Sequence, residues 1–150
     1  MKRIASIAVL AGLTFAAGAA LAHDDAYLDT QKAPNGGQLR MAGPNHYELV
    51  LAKDATEARE NPVVVYVTDH AGQKMSTAGA AGTATILAGK LKAAATLKPD
   101  GDNRMKGVAK YASTPGTKVV VSITLAGKQA EQARFTPLIV AKDTHTDHKH

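Results

Sequence analysis

The stretch Lys118–Leu125, KVVVSITL, decides the fold class because its side chains alternate with a period of two. Odd-numbered positions from 119 to 125 are all aliphatic, whereas the even-numbered positions include Ser122 and Thr124. Successive side chains of a β-strand point to opposite faces, so this pattern predicts a strand with one buried face. The adjoining Ala126-Gly127-Lys128 is typical of a hairpin turn and predicts a partner strand over Gln129–Pro137.

Similar patterns recur along the chain, separated by turns rich in Gly, Pro and Asp. The polar Asp54–Asn61 favours a helical turn or a loop, and no segment of the mature chain keeps a helical period. Connections this short favour antiparallel pairing. The sequence therefore predicts an all-β fold, a single antiparallel Ig-like β-sandwich of about seven to eight strands. The further predicted strands are Gln38–Ala42, His46–Lys53, Pro62–Asp69, Thr83–Ala88, Leu91–Lys98 and Arg104–Tyr111.

The N-terminal segment has the composition of an export signal. Lys2 and Arg3 form a basic start, residues 4–21 are almost wholly apolar or small, and Ala20-Leu21-Ala22 is a small-x-small cleavage pattern. A membrane anchor is the alternative, because an apolar segment of this length can just span a bilayer. The Ala and Gly content favours a cleaved signal. We therefore expect cleavage after Ala22, a periplasmic location and no membrane span after processing.

These patterns divide the chain into four parts. We predict a signal peptide at 1–22, a flexible N-terminal lead at 23–33, the β-sandwich domain at 34–140 and a disordered tail at 141–150. The end of the tail, DTHTDHKH, contains no apolar residue and no period, which is typical of a mobile terminus.

Composition excludes several classes of function. The chain has 18 Lys+Arg against 13 Asp+Glu, and removal of Lys2 and Arg3 leaves a mild net charge of +3. This charge is too mild and too evenly spread for the basic stripe of a nucleic-acid-binding protein, and with no Trp and only two Phe, base-stacking platforms are scarce. The absence of Cys excludes disulfides and thiolate catalysis. No G-x-S-x-G or other catalytic signature is present, so we do not expect an enzyme.

A candidate metal site lies in the predicted strands. His46 and Glu48 point the same way from one strand, about 6–7 Å apart, and His70 ends another strand beside Asp69. If the two strands are neighbours, these three side chains could form an N,O site for Zn²⁺ or Cu²⁺. Two alternatives stay open, namely polar residues on a solvated face with no ligand, and a purely structural pairing of His46 with Glu48 or Asp69.

The other four histidines lie near the chain ends. Cleavage after Ala22 would make His23 the first residue, where the α-amine and the imidazole can chelate Cu²⁺ together. The alternative is a frayed terminus. His145, His148 and His150 form an H-x2-H-x-H tract that could bind divalent metals with modest affinity, or could simply be solvated.

Four segments occur in order along the chain: Pro34-Asn35-Gly36-Gly37-Gln38, His46-Tyr47-Glu48-Leu49-Val50, Val65-Tyr66-Val67-Thr68-Asp69-His70 and Gly79-Ala80-Ala81-Gly82-Thr83-Ala84-Thr85. The chain resembles small exported β proteins associated with bacterial heavy-metal resistance, and is similar to a domain fused to periplasmic adaptor subunits of heavy-metal efflux pumps. The resemblance covers about residues 34 to 136 and implies a periplasmic role linked to copper, zinc or cadmium. Some relatives carry His at the position of Asn35, so that ligand is absent here.

The sequence thus predicts a periplasmic accessory protein that captures or buffers a divalent ion, copper or zinc, without catalysis. A metal-efflux adaptor or another envelope protein is the expected partner. The alternative is an Ig-like interaction module that docks to an envelope or efflux complex and in which the histidines are incidental. The candidate metal ligands are His46, Glu48, His70, His23, His145, His148 and His150.

Overall fold

The computed structural model describes residues 24–139, which form one short helix and eight strands. The predicted signal peptide, His23 and the predicted tail with its three histidines lie outside the described residues. In chain order the elements are α1 (Asp25–Thr30), β1 (Gln38–Ala42), β2 (Asn45–Leu51), β3 (Arg59–Asp69), β4 (Ala81–Ala88), β5 (Leu91–Pro99), β6 (Arg104–Tyr111), β7 (Lys118–Thr124) and β8 (Glu131–Phe135).

The predicted all-β, antiparallel architecture is confirmed, and each predicted strand has a counterpart within a few residues. Strand β3 starts earlier than predicted, at Arg59, inside the polar segment that favoured a helical turn or a loop. Its first residues are drawn into the sheet by antiparallel pairing with β6, where Arg59 lies opposite Tyr111. Pairing with a distant strand therefore outweighs the low strand propensity of that polar segment.

The eight strands form one sheet in the order β1-β2-β3-β6-β5-β4-β7-β8. Strand β5 pairs with β4 over seven positions but with β6 through Lys98 and Pro99 alone, so two four-stranded halves meet along a short seam. The outer strands β1 and β8 also approach each other, and the backbone N–H of Thr136 donates to Gln38 Oε1 at 2.8 Å. The sheet is consequently barrel-like and nearly closed.

This arrangement differs from the predicted Ig-like sandwich, in which two separate sheets pack face to face. A strand of a sandwich and a strand of a barrel both bury one face and show the same alternation. The alternation therefore predicts the strands and their inner faces, but leaves open which strand edges meet.

The inner face of the sheet carries a single apolar core. The alternation of KVVVSITL is confirmed, because Val119, Val121 and Ile123 are all at most 1% exposed. Burial of these faces supplies the main stabilising free energy in a domain without disulfides. The largest fully buried side chains are Tyr47, Tyr111, Phe135, Leu49, Ile86, Leu97, Met105 and Ile123.

Within the lead predicted for 23–33, residues 25–30 form helix α1. The side chain of Asp24 caps the helix by accepting a hydrogen bond from Tyr27 N at 2.8 Å. Leu28 is buried, and Arg40 of β1 contacts Asp29 at 2.7 Å and Asp25 at 3.5 Å. A six-residue helix is too short to show a period in sequence and depends on such tertiary contacts.

Over residues 24–139, no helix combines the length and apolar character needed to cross a membrane.

Candidate functional site

The outer faces of β2 and β3 bring His46 and His70 together. In the antiparallel register His46 lies opposite Thr68, and His70 follows the last residue of β3. The two imidazole centroids are 5.0 Å apart, with an angle of 41° between the ring planes. The condition set by the sequence, that the strands carrying these two histidines are neighbours, is therefore met.

The two rings differ in exposure. His70 is exposed, whereas His46 is 8% exposed and its Nε2 atom is buried. The sequence placed His46 and Glu48 on the polar face of their strand, and the alternative in which that face is solvated is wrong for these two side chains. The chain before β1 folds over the outer face of β2, so both side chains are buried although they point away from the core.

The carboxylate of Glu48 is bound by the turn that precedes β1. Its Oε2 atom accepts hydrogen bonds from the backbone N–H groups of Asn35 and Gly37, both at 2.9 Å. Its Oε1 atom accepts from the Asn35 side-chain amide at 3.0 Å. Hydrogen bonds to a charged acceptor are the strong ones, so these bonds fix the turn on β2. Glu48 shares a face with His46 as predicted, but both of its carboxylate oxygens bind the turn.

Two features of this turn explain its sequence. Gly36 has φ of 73°, a left-handed conformation that favours glycine. Gly37 lies so close to β2 that a Cβ atom there would overlap the backbone carbonyl of Leu49. The side chain of Asn35 donates to Glu48 as well. The turn is therefore shaped to bind a carboxylate of the same chain.

A cavity of about 500 Å³ lies between the His pair, α1 and the turn after β3. The floor comes from β2 and β3, one wall from α1 and the opposite wall from residues 70–74. Two lysines, Lys32 and Lys74, lie at its exposed margin. Besides the His pair, Glu48 and the two lysines, the lining residues include Tyr27, Leu28, Leu39, Tyr66 and Asn103.

Sequence reasoning missed most of this cavity. Tyr27, Leu28 and Lys32 belong to the segment interpreted as a flexible lead, and Asn103 lies in a turn between strands. The side-chain amide of Asn103 donates to Val67 O at 3.1 Å, which attaches that turn to β3. The alternation of side chains predicts the strands. No local signal indicates that α1, the turn after β3 and the turn that contains Asn103 come together on one side of β2.

The described part of the chain offers two imidazoles at this site. Within residues 24–139, no group of three or more His, Asp or Glu side chains is arranged to hold a metal ion. The other candidate ligands, His23, His145, His148 and His150, lie outside that range. A metal ion bound by the His46–His70 pair would therefore need further ligands from outside the described residues.

The two rings have a spacing that suits a common metal ion. A Zn–N bond of about 2.0–2.1 Å places an imidazole centroid about 3.2 Å from the ion, so two rings at a tetrahedral angle have centroids about 5.2 Å apart. The observed separation is 5.0 Å. Tilted ring contacts without a metal fall in a similar range, so the spacing is compatible with both arrangements.

A second cavity, of about 420 Å³, opens at one end of the barrel beside Tyr47, Ile123 and Leu125. The hydroxyl of Tyr47 lies 3.4 Å from the carbonyl oxygens of Ile123 and Glu131. Burial, together with the negative charge of Glu131, raises the pKa of the Tyr47 hydroxyl. The lining of this cavity includes no histidine.

Comparisons with known proteins add little to this picture. No family model matches the chain, and no curated protein matches it. Among solved structures, the chain is similar to a conjugative transposon lipoprotein from Bacteroides eggerthii, at 9% identity and a TM-score of 0.34. That match covers 62% of this chain and 95% of the other. A similarity this low assigns neither fold nor function.

Proposed function

We propose that this chain is an exported metal-binding protein in which His46 and His70 bind one divalent transition-metal ion, copper or zinc, without catalysis. The observation that carries the proposal is the 5.0 Å separation of the two imidazole centroids at the wall of a cavity. Neutral imidazole is a good ligand for Cu²⁺ and Zn²⁺, and a site at a cavity wall can receive an ion from solution.

Export to the periplasm is part of the proposal and rests on the N-terminal sequence. Lys2, Arg3 and the apolar segment that ends at Ala22 have the pattern of a cleaved signal. The resemblance to heavy-metal resistance proteins supports a role in resistance or efflux, with an efflux adaptor or another envelope protein as partner. His23 and the tail histidines would then be accessory ligands that capture ions.

Titration of the correctly processed, untagged protein with Cu²⁺ and Zn²⁺ tests the proposal. Mass spectrometry of the secreted protein first establishes whether His23 is the first residue. We expect His70→Ala to weaken binding of the tightest equivalent by at least about tenfold, the usual effect of losing one ligand. His70 is exposed, so this variant should fold normally.

His46 is tested by His46→Gln, which keeps a polar side chain in a buried position. A matched control replaces His145, His148 and His150 by alanine and removes the same kind of side chain elsewhere. We expect this control to lose only the weakly bound equivalents of metal and to keep the tightest one. If both His46→Gln and His70→Ala fold and bind metal like the wild type, the assigned site is wrong, and the interaction-module alternative is favoured.

A further inference from the structure

The cavity beside the His pair is much larger than a metal ion requires. Its volume is about 500 Å³, whereas one water molecule in the liquid occupies about 30 Å³. Small-molecule sites in proteins have volumes of about 300–1,000 Å³. An ion with its remaining water ligands would leave most of this cavity unfilled, so the space suits a small organic molecule.

Two protein ligands also leave the coordination of the metal incomplete. Zn²⁺ takes four ligands in protein sites, and Cu²⁺ prefers tetragonal coordination. His46 and His70 supply two nitrogen atoms, and both carboxylate oxygens of Glu48 accept hydrogen bonds from the turn. The remaining coordination positions are open to ligands that the described residues do not supply, and a molecule that shares the cavity can occupy them.

The charges around the cavity favour an anionic molecule. Lys32 and Lys74 are exposed at its margin, and Glu48 is the one carboxylate among its lining residues. Two ammonium groups repel a bare dication and attract carboxylates. Tyr27, Leu28 and Leu39 add apolar surface that can cover the carbon atoms of such a molecule.

From these three observations we propose that the site binds its metal as a complex with a small polycarboxylate chelator. His46 and His70 complete the coordination of the metal, while Lys32 and Lys74 attract the carboxylates of the chelator. This inference rests on the proposed function, because it assumes that the His pair binds a metal. It adds the identity of the ligand class, a metal chelate with a net negative charge and open coordination positions.

The test uses Cu²⁺–nitrilotriacetate as the probe and bare Cu²⁺ as the comparison. The full-length secreted protein carries His23→Ala and alanine at the three tail histidines, because those side chains could bind the same probe. We expect the double variant Lys32→Gln/Lys74→Gln to bind the chelate about three- to tenfold more weakly. We expect its affinity for bare Cu²⁺ to be unchanged or higher, since a repulsion is removed.

A matched control, Lys92→Gln/Lys110→Gln, removes two exposed lysines that do not line the cavity. It should bind both forms of copper like the parent protein, and circular dichroism checks that both double variants are folded. Equal loss of chelate binding in the two lysine variants would show only a general charge effect and would overturn the inference. No loss in either variant would overturn it as well.

The failure of this inference can be distinguished from the failure of the proposed function. If the parent binds bare Cu²⁺ through His70 but does not bind the chelate, the metal site stands and the chelate inference is wrong. If His70→Ala changes the binding of neither form, both proposals are wrong. Electron paramagnetic resonance of the ternary complex should show imidazole nitrogen ligands that are lost in His70→Ala.

Discussion

The carboxylate of Glu48 accepts a hydrogen bond from the backbone N–H of Gly37 at 2.9 Å. This bond joins the outer face of β2 to the turn before β1. Together with its bonds to Asn35, this contact attaches the turn between α1 and β1, part of which lines the cavity, to the barrel. The residue that sequence reasoning assigned to a metal therefore binds backbone and amide N–H groups of its own chain.

The first prediction concerns the charge on this carboxylate. Glu48→Gln keeps the shape of the side chain but removes the charge and places an amide NH₂ group against N–H donors. We expect a loss of about 2 kcal/mol in the free energy of unfolding, measured by urea denaturation. Glu60→Gln, at an exposed position on β3, should change it by less than about 0.5 kcal/mol. Equal stability of the two variants would contradict the structural role of Glu48.

The second prediction concerns the close approach of Gly37 to β2. Gly37→Ala places a methyl group on the carbonyl oxygen of Leu49, so the turn must move away from Glu48. We expect a loss of about 1–3 kcal/mol in thermal or urea unfolding. Gly116→Ala is the matched control, because no atom lies within 4 Å of its added Cβ and its φ is not positive. An unchanged stability of Gly37→Ala would be inconsistent with the observed turn.

The third prediction concerns a buried hydroxyl. Tyr111 OH donates to Pro62 O and accepts from Ala52 N at 2.9 Å, so it joins the end of β6 to two other segments. Tyr111→Phe leaves both backbone groups without this partner, and we expect a loss of about 1–3 kcal/mol in urea unfolding. Tyr66→Phe alters a half-buried tyrosine on β3 and should cost less. A larger loss of stability in Tyr66→Phe than in Tyr111→Phe would contradict the role assigned to the Tyr111 hydroxyl.

The fourth prediction is a loss of stability at high pH. Burial raises the pKa of both Tyr47 and Tyr111 above the ordinary value of 10.0. Below pH 10 both the folded and the unfolded chain keep these protons. Above pH 10 only the unfolded chain releases them, so the free energy of unfolding falls as the pH rises. Urea midpoints at pH 8, 10 and 11 should show this fall.

The variant Tyr111→Phe should show a smaller fall between pH 10 and 11 than the wild type. Tyr27→Phe is the matched control, because Tyr27 is 47% exposed and its removal should leave the slope unchanged. The same slope in Tyr111→Phe and wild type would show that other groups cause the alkaline unfolding.

The fifth prediction concerns the attachment of α1. Arg40 is buried and pairs with Asp29 and Asp25, whose side chains are about half or more exposed. Asp25→Asn/Asp29→Asn should cost about 1 kcal/mol, since the exposed carboxylates are screened. Hydrogen exchange should accelerate in residues 25–31, with little change in the core strands. Glu57→Gln, which breaks an exposed pair with Arg59, should leave this exchange unchanged.

Much of the fold follows from the sequence because each strand carries its own signal. KVVVSITL shows which face of β7 is buried, and Gly and Pro turns mark where strands end. The nearly closed sheet could not be derived, because it depends on β5 pairing with β6 through two residues and on contact between β1 and β8. Such long-range contacts leave no periodic trace in either partner strand.

The candidate site was predicted only in part for the same reason. His46 lies on β2 and His70 directly follows β3, so their approach follows from the antiparallel pairing of these two strands, which are neighbours in sequence. The partners of Glu48 come from a turn more than ten residues away along the chain. The burial of His46 and the cavity wall formed by α1 both depend on how the chain before β1 folds back over β2, and the sequence does not show this.

The hydrogen bond from Thr136 to Gln38 places the end of the last strand beside the start of the first. Spatially, the strand order is therefore almost cyclic, and little distance separates the points where the polypeptide enters and leaves the barrel. A circular permutant that links these points and is opened at Gly89, a turn residue with open space around it, would keep every strand pair. In this fold, the chain can thus be joined between β8 and β1 and opened between β4 and β5 without changing the pairing of the strands.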